Sequence, residues 1–104
     1  MRLLNKILKK LKALADKNRL EIIKLLLTKN YCVSALAKRL NISESAVSQQ
    51  LKILREADLV MGEKKGYYVH YLVKKENIQQ ISDYIIDLVE TNAGEQNCFH
   101  ENNN

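Results

Sequence analysis

The sequence predicts one mainly α (α+β) domain whose elements run in the order α-α-α-α-β-β-α, and three observations carry that expectation. Apolar residues recur at helical spacing through the first four segments and again near the end. Between these stretches the pattern changes to β-branched and aromatic residues for about a dozen positions. No proline, internal repeat or Gly/Ser-rich linker divides the 104 residues.

Leu3, Ile7, Leu11 and Leu14, flanked by Leu4, Leu8 and Ala15, form the stripe of a first helix and leave Lys6, Lys9, Lys10 and Lys12 largely on other faces. Asp16 suits the cap of a second helix, whose stripe is Leu20, Ile23, Leu26 and Leu27 and which ends in Thr28, Lys29 and Asn30. VSALAKRL places Leu36, Ala37 and Leu40 on one face of a short third helix, broken by Asn41 and Ser43. Ser43 then caps ESAVSQQLKILREA, in which Val47, Leu51 and Leu54 face inward and Ser45, Gln49 and Lys52 face the opposite way. Two short helices joined by Asn41-Ile42-Ser43 are the signature of a helix-turn-helix.

Leu59 and Val60 lead into MGEKKG and then YYVHYLV, which predicts a β-hairpin with its tip near Lys64, Lys65 and Gly66. After a helix-turn-helix such a hairpin is a wing, so the fold expected is a winged helix-turn-helix. Ile78, Ile81, Ile85 and Leu88, with Ile86 and Val89 beside them, predict a last amphipathic helix ending near residues 92–94. The domain therefore spans residues 1–93, and GEQNCFHENNN, residues 94–104, is expected to be a flexible tail.

Seventeen Lys and Arg against twelve Asp and Glu give a net charge of +5, which suits a polyanionic partner and also plain solubility. No apolar run reaches the ~20 residues of a membrane span, and the lysine-studded N-terminus carries no cleavage signal, so the protein is expected in the cytoplasm, without a membrane. Cys32 and Cys98 lie far apart and predict no structural disulfide. The sequence has no Gly-rich phosphate loop, paired catalytic carboxylates or Ser/His/Asp arrangement, and an enzyme is not expected.

The second helix of a helix-turn-helix enters the major groove and offers its N-terminal side chains to base edges. Ser43, Ser45, Ser48, Gln49 and Gln50 are the donors and acceptors available there, and a glutamine can pair bidentately with adenine. Lys52, Arg55, Lys64 and Lys65 are candidates for phosphate contacts, with a solvated charged face as the alternative. The partner expected is double-stranded operator DNA. A winged helix that contacts only proteins is the alternative.

LKALADKNRLEIIKLLL, followed by CVSALAKRLNISESAVSQQLKILREADLV and a hairpin, resembles the ArsR/SmtB family of winged helix-turn-helix repressors over residues 11 to 73. Ser45-Ala46-Val47-Ser48-Gln49-Gln50-Leu51 resembles the family's recognition-helix motif, with Gln50 where many members have His. The resemblance implies homodimers whose first and last helices pack together and set two recognition helices on an inverted-repeat operator. Leu4, Ile7 and Leu8 on the first helix and Ile81, Ile85 and Leu88 on the last are the candidate interface, the alternative being that these stripes close the chain's own core.

The same resemblance implies an inducer, often a thiophilic or transition metal, that weakens the hold on DNA. The family's third-helix metal motif begins Cys-Val-Cys, whereas this chain has Cys32-Val33-Ser34 and lacks one thiolate. In the family's last-helix zinc motif an Asp and a His stand where this chain has Lys75 and Asn77, and a lysine is a poor neighbour for a divalent ion. Cys32, Cys98 and His100 remain as candidates for a thiophilic metal or metalloid ion, for a thiol switch, or for no sensing role. His70, in a strand, reads as a surface or packing residue.

Overall fold

In the computed structural model, which describes residues 2–91, seven elements follow in the expected order: α1 (Arg2–Leu14), α2 (Lys17–Leu26), α3 (Val33–Leu40), α4 (Glu44–Glu56), β1 (Val60–Lys65), β2 (Tyr68–Val73) and α5 (Lys75–Glu90). The last helix stops at Glu90, short of the expected end. The tail from residue 94 onward, with Cys98 and His100, lies outside the described residues.

Side-chain caps start two of the helices. Asp16 accepts from the Arg19 backbone N–H at 3.1 Å to open α2, and Ser43 Oγ accepts from Ala46 N–H at 3.0 Å to open α4. The ends of α3 and α4 use one device. Asn41 and Asp58 adopt left-handed φ of 56° and 63°, and the residue after each returns its N–H to the last turn, Ile42 to the Ala37 carbonyl at 3.1 Å and Leu59 to Leu54 at 3.0 Å. Asn and Asp tolerate this conformation better than other residues with a Cβ, so both helices stop sharply without glycine.

The core joins Ile22, Leu36, Val47, Leu51, Leu54, Leu59 and Val60, all but inaccessible, to Ile7 and Ile81 from the terminal helices. On α2 the buried set is Ile22, Ile23 and Leu26, whereas Leu20 and Leu27, expected in the stripe, are exposed. Both sets have helical spacing. Which one is buried follows from how α1, α3 and α4 pack around the helix. Lys10, expected on an outer face, is buried and lines a hollow shared with Asp58.

The terminal helices divide their apolar residues. Ile7 is 1% and Ile81 5% exposed where α1 and α5 pack together, so both close the protomer's own core and have almost no surface left for another chain. That corrects their assignment to an interface. Leu8, Ile85 and Leu88 are 41%, 43% and 64% exposed and Leu4 is half-buried, which leaves an apolar face along the outside of the pair.

β1 and β2 pair antiparallel from Val60 with Val73 to Lys65 with Tyr68. The connection is Gly66-Tyr67, one step beyond the expected tip. Gly66 has φ +63°, the positive value that a two-residue hairpin needs at its first position when the second is not left-handed.

Candidate nucleic-acid interface

Val47, Leu51 and Leu54 are at most 1% exposed and fix the rotation of α4. Ser45, Ser48, Gln49 and Lys52 consequently stand in solvent along its outer side. Ser43 is exposed too, but its hydroxyl is engaged as the helix cap and lies 3.2 Å from Ser45 Oγ. These five residues form one polar row, with short side chains at the N-terminal end and a cation in the third turn.

Gln50 does not join that row. It is half-buried at the edge of the core stripe, and its Oε1 accepts from Arg19 Nη1 at 2.9 Å. Expected among the base-reading residues, it instead points toward α2, with its side-chain carbonyl already bonded to Arg19. Arg19 also donates from Nε to the Ala13 carbonyl at 2.6 Å and from Nη2 to the Lys12 carbonyl at 3.5 Å, and its guanidinium lies 3.9 Å from the Asp16 carboxylate. One side chain thus reaches two carbonyls in the last turn of α1 and steadies the middle of α4. Its role was not visible in the sequence, because its partners are 6, 7 and 31 positions away.

On the wing Lys64 is exposed and forms no ion pair among the described residues. Lys65 Nζ meets Glu63 Oε1 at 2.7 Å; the contact holds the Glu63 carboxyl below and the Lys65 ammonium above their ordinary values. Tyr67, at the apex, is fully exposed and was missed. The signal was available in its place directly after the turn glycine. Arg55 is exposed near the far end of α4.

The base of the wing is tied down by Asp58. Its carboxylate pairs with Lys74 Nζ and accepts from Asn77 Nδ2 at 3.1 Å, which also donates to the Asp58 carbonyl at 2.6 Å. The hydrogen bond from Lys74, foremost, keeps the Asp58 carboxyl below the usual carboxylate range. The end of α4 and the start of α5 are joined on either side of the hairpin.

Cys32 occupies the N-cap position of α3, half-buried, with Sγ 3.4 Å from Ser34 Oγ. The Ser34 hydroxyl, and after it the Ala35 backbone N–H, draw the thiol below its usual pKa. Cys32, Tyr31, Ser34, Tyr68 and His70 line a groove of about 420 Å³ between α3 and the wing. Among the described residues no three His, Cys, Asp or Glu are placed to hold a metal ion, and no helix is long and apolar enough to cross a membrane.

Residues 16–61 match the profile described as bacterial regulatory protein, arsR family. The arsenical resistance operon repressor of Bacillus subtilis is 34% identical over 97 residues, covering 92% of each chain. The transcriptional repressor SmtB homolog of Synechocystis sp. is 37% identical over 75 residues, 72% of this chain, and the match spans only 57% of that protein. A solution structure of a homodimeric winged helix-turn-helix DNA-binding domain from Mycobacterium bovis superposes with a TM-score of 0.70 at 24% identity, covering 96% of this chain and 92% of that one, a likeness of fold.

Proposed function

Because the chain belongs to the arsR family of bacterial regulatory proteins, we propose that it is a transcriptional repressor that binds an inverted-repeat DNA operator as a homodimer. The observation that carries this reading is the row Ser45, Ser48, Gln49 and Lys52 on α4, held outward by buried Val47, Leu51 and Leu54 and flanked by a lysine-bearing wing. Ser45, Ser48 and Gln49 meet base edges in the major groove, Lys52 and Lys64 meet phosphates, and Ser43 organises the helix start. Leu4, Leu8, Ile85 and Leu88 pack against their copies about a two-fold axis, which places the half-sites about 34–36 Å apart.

The finer reading is release by a thiophilic ion or a thiol reagent at Cys32. Similarity to an arsenical resistance repressor supports it, as does the lowered thiol pKa. Cys32 and His70 line one groove, but two donors fall short of the three or four that a thiophilic ion takes, so the described residues alone do not fit a complete metal site. Cys98 and His100 are the remaining candidate donors in the chain.

Fluorescence anisotropy with reduced protein and DNA from its own promoter tests both levels. The binding is repeated with Zn(II), Cu(I), As(III) or a persulfide donor, and with Cys32→Ser and Cys98→Ser. Specific binding is expected, with release by one agent that the Cys variants no longer show. Tight binding that ignores every agent would remove the sensing proposal, and absence of specific binding would favour a protein-contact module.

A further inference from the structure

The N-terminal helix is the most one-sidedly charged part of the described chain. Arg2, Lys6, Lys9, Lys10 and Lys12 lie on α1, which has no carboxylate of its own. Lys10 is buried, and none of the other four forms an ion pair among the described residues, although such pairs occur on α2, on the wing and at the start of α5. Part of the apolar side of α1 is occupied by the core through Ile7 and Ala13, and the open remainder, with Leu4 and Leu8, is the face assigned above to the dimer.

Its last turns stand beside α4. The Arg19 guanidinium that bonds Gln50 at 2.9 Å also reaches the Lys12 carbonyl at 3.5 Å. Lys9, Lys12 and Arg19 line a concavity of about 270 Å³ shared with Ile53 and Glu56 of α4, which follow Gln49 along one helical edge at i+4 and i+7. Glu56 is the one carboxylate lining it, and no ion pair joins it to either lysine. Packed helices lie about 8–10 Å apart. A major groove about 12 Å wide holds its phosphate ridges about 6 Å to either side of a helix centred in it. A helix seated on the flank of α4 is therefore close enough for a long lysine side chain to reach one of those ridges.

We propose that Lys9 and Lys12 of α1 contact the DNA phosphate backbone beside the recognition helix, extending the footprint beyond α4 and the wing. The inference rests on operator binding through α4. Its test is the slope of log Kobs against log salt concentration for operator DNA. The chain is compared with Lys9→Gln/Lys12→Gln, with Lys9→Arg/Lys12→Arg, and with Lys24→Gln/Lys75→Gln as a control on exposed positions elsewhere.

Each phosphate contact adds about 0.9 to the slope, so four lysines in a dimer shallow it by about 3 to 4 in the Gln pair. Arg at both positions restores the slope, the control leaves it unchanged, and the ratio of operator to random-sequence affinity stays the same. A steep slope in the unaltered chain that the Gln pair reproduces would overturn the inference and leave operator binding intact. Failure of the Arg pair to recover the slope would also overturn it, since the charge is then not what the two positions supply. If the unaltered chain shows no operator binding, the functional reading fails first and this inference with it.

Discussion

Arg19 Nη1 donates to Gln50 Oε1 at 2.9 Å, and through that bond the end of α1, the start of α2 and the middle of the recognition helix share one side chain. The arrangement couples the helix that carries half of the apolar outer face to the helix that carries the outward polar row. Replacing Arg19 with Ala leaves the Ala13 carbonyl and the Gln50 amide oxygen without their donor, and is expected to cost about 2–3 kcal/mol of stability in urea unfolding. Gln50→Ala costs about 1 kcal/mol, and a double-mutant cycle shows coupling of about that size. Additive effects of the two substitutions would show that the bond contributes nothing in solution.

Gln49 and Gln50, placed differently on α4, are expected to separate functionally. Gln49→Ala is expected to lose about 1–3 kcal/mol of discrimination at one operator base pair, read by competition with operators mutated position by position. Gln50→Ala leaves the base preference unchanged. Lys64→Ala weakens all sequences alike and shallows the salt slope. Lys65→Ala does less, because Lys65 is already matched by Glu63.

Neighbouring apolar residues on the terminal helices should respond in different ways. Leu8→Asp with Ile85→Asp is expected to give a folded monomer with poor operator affinity, seen by sedimentation and circular dichroism, because both side chains are open on the protomer. Ile7→Ala leaves a cavity in the core and lowers protomer stability by about 2–5 kcal/mol without acting first on assembly.

Asp58 supplies a pH dependence with a definite sign. Its carboxyl sits below the ordinary range in the folded chain, chiefly through the hydrogen bond from Lys74, so it binds its proton more weakly folded than unfolded. Its stabilisation is therefore complete above the ordinary carboxylate pKa of about 4 and is lost as the pH falls through the lower folded value. The pair is substantially exposed, so the effect is below about 1 kcal/mol. Thermal unfolding between about pH 2 and 6 should show Asp58→Asn with a shallower acid loss than the unaltered chain.

The Cys32 thiol should be faster to alkylate at neutral pH than an unperturbed cysteine. Measured in a Cys98→Ser background, which leaves Cys32 as the one thiol, the rate is expected to fall with Ser34→Ala, because the first cause of the lowered pKa is removed. An unchanged rate would mean that Ser34 does not stabilise the thiolate.

Much of this molecule was written locally. Val47, Leu51 and Leu54 recur at helical spacing, and that alone turned Ser45, Ser48, Gln49 and Lys52 outward. Ser43 and Asp16 announced the starts of their helices because a cap bonds to a backbone N–H only three residues away. The wing followed from the change of period and a glycine, since a hairpin is also a short-range structure. These determinants lie within one turn of helix or one β-turn of what they specify, so the order of elements and the exposed face of α4 could be read without knowing the tertiary structure.

The remaining features depended on where distant helices lie. Ile7 and Leu8, or Ile81 and Ile85, are equally apolar, and only the packing of α1 on α5 decides which is core and which is open. Lys10 is buried where α1 packs against its neighbouring helices, and Gln50 turns inward because Arg19, 31 positions earlier, arrives beside it. Periodicity marks which side of a helix is buried but not where that side ends. At the borders the assignment passes to the neighbouring helix, whose position is set by the whole core and not by any local run of residues.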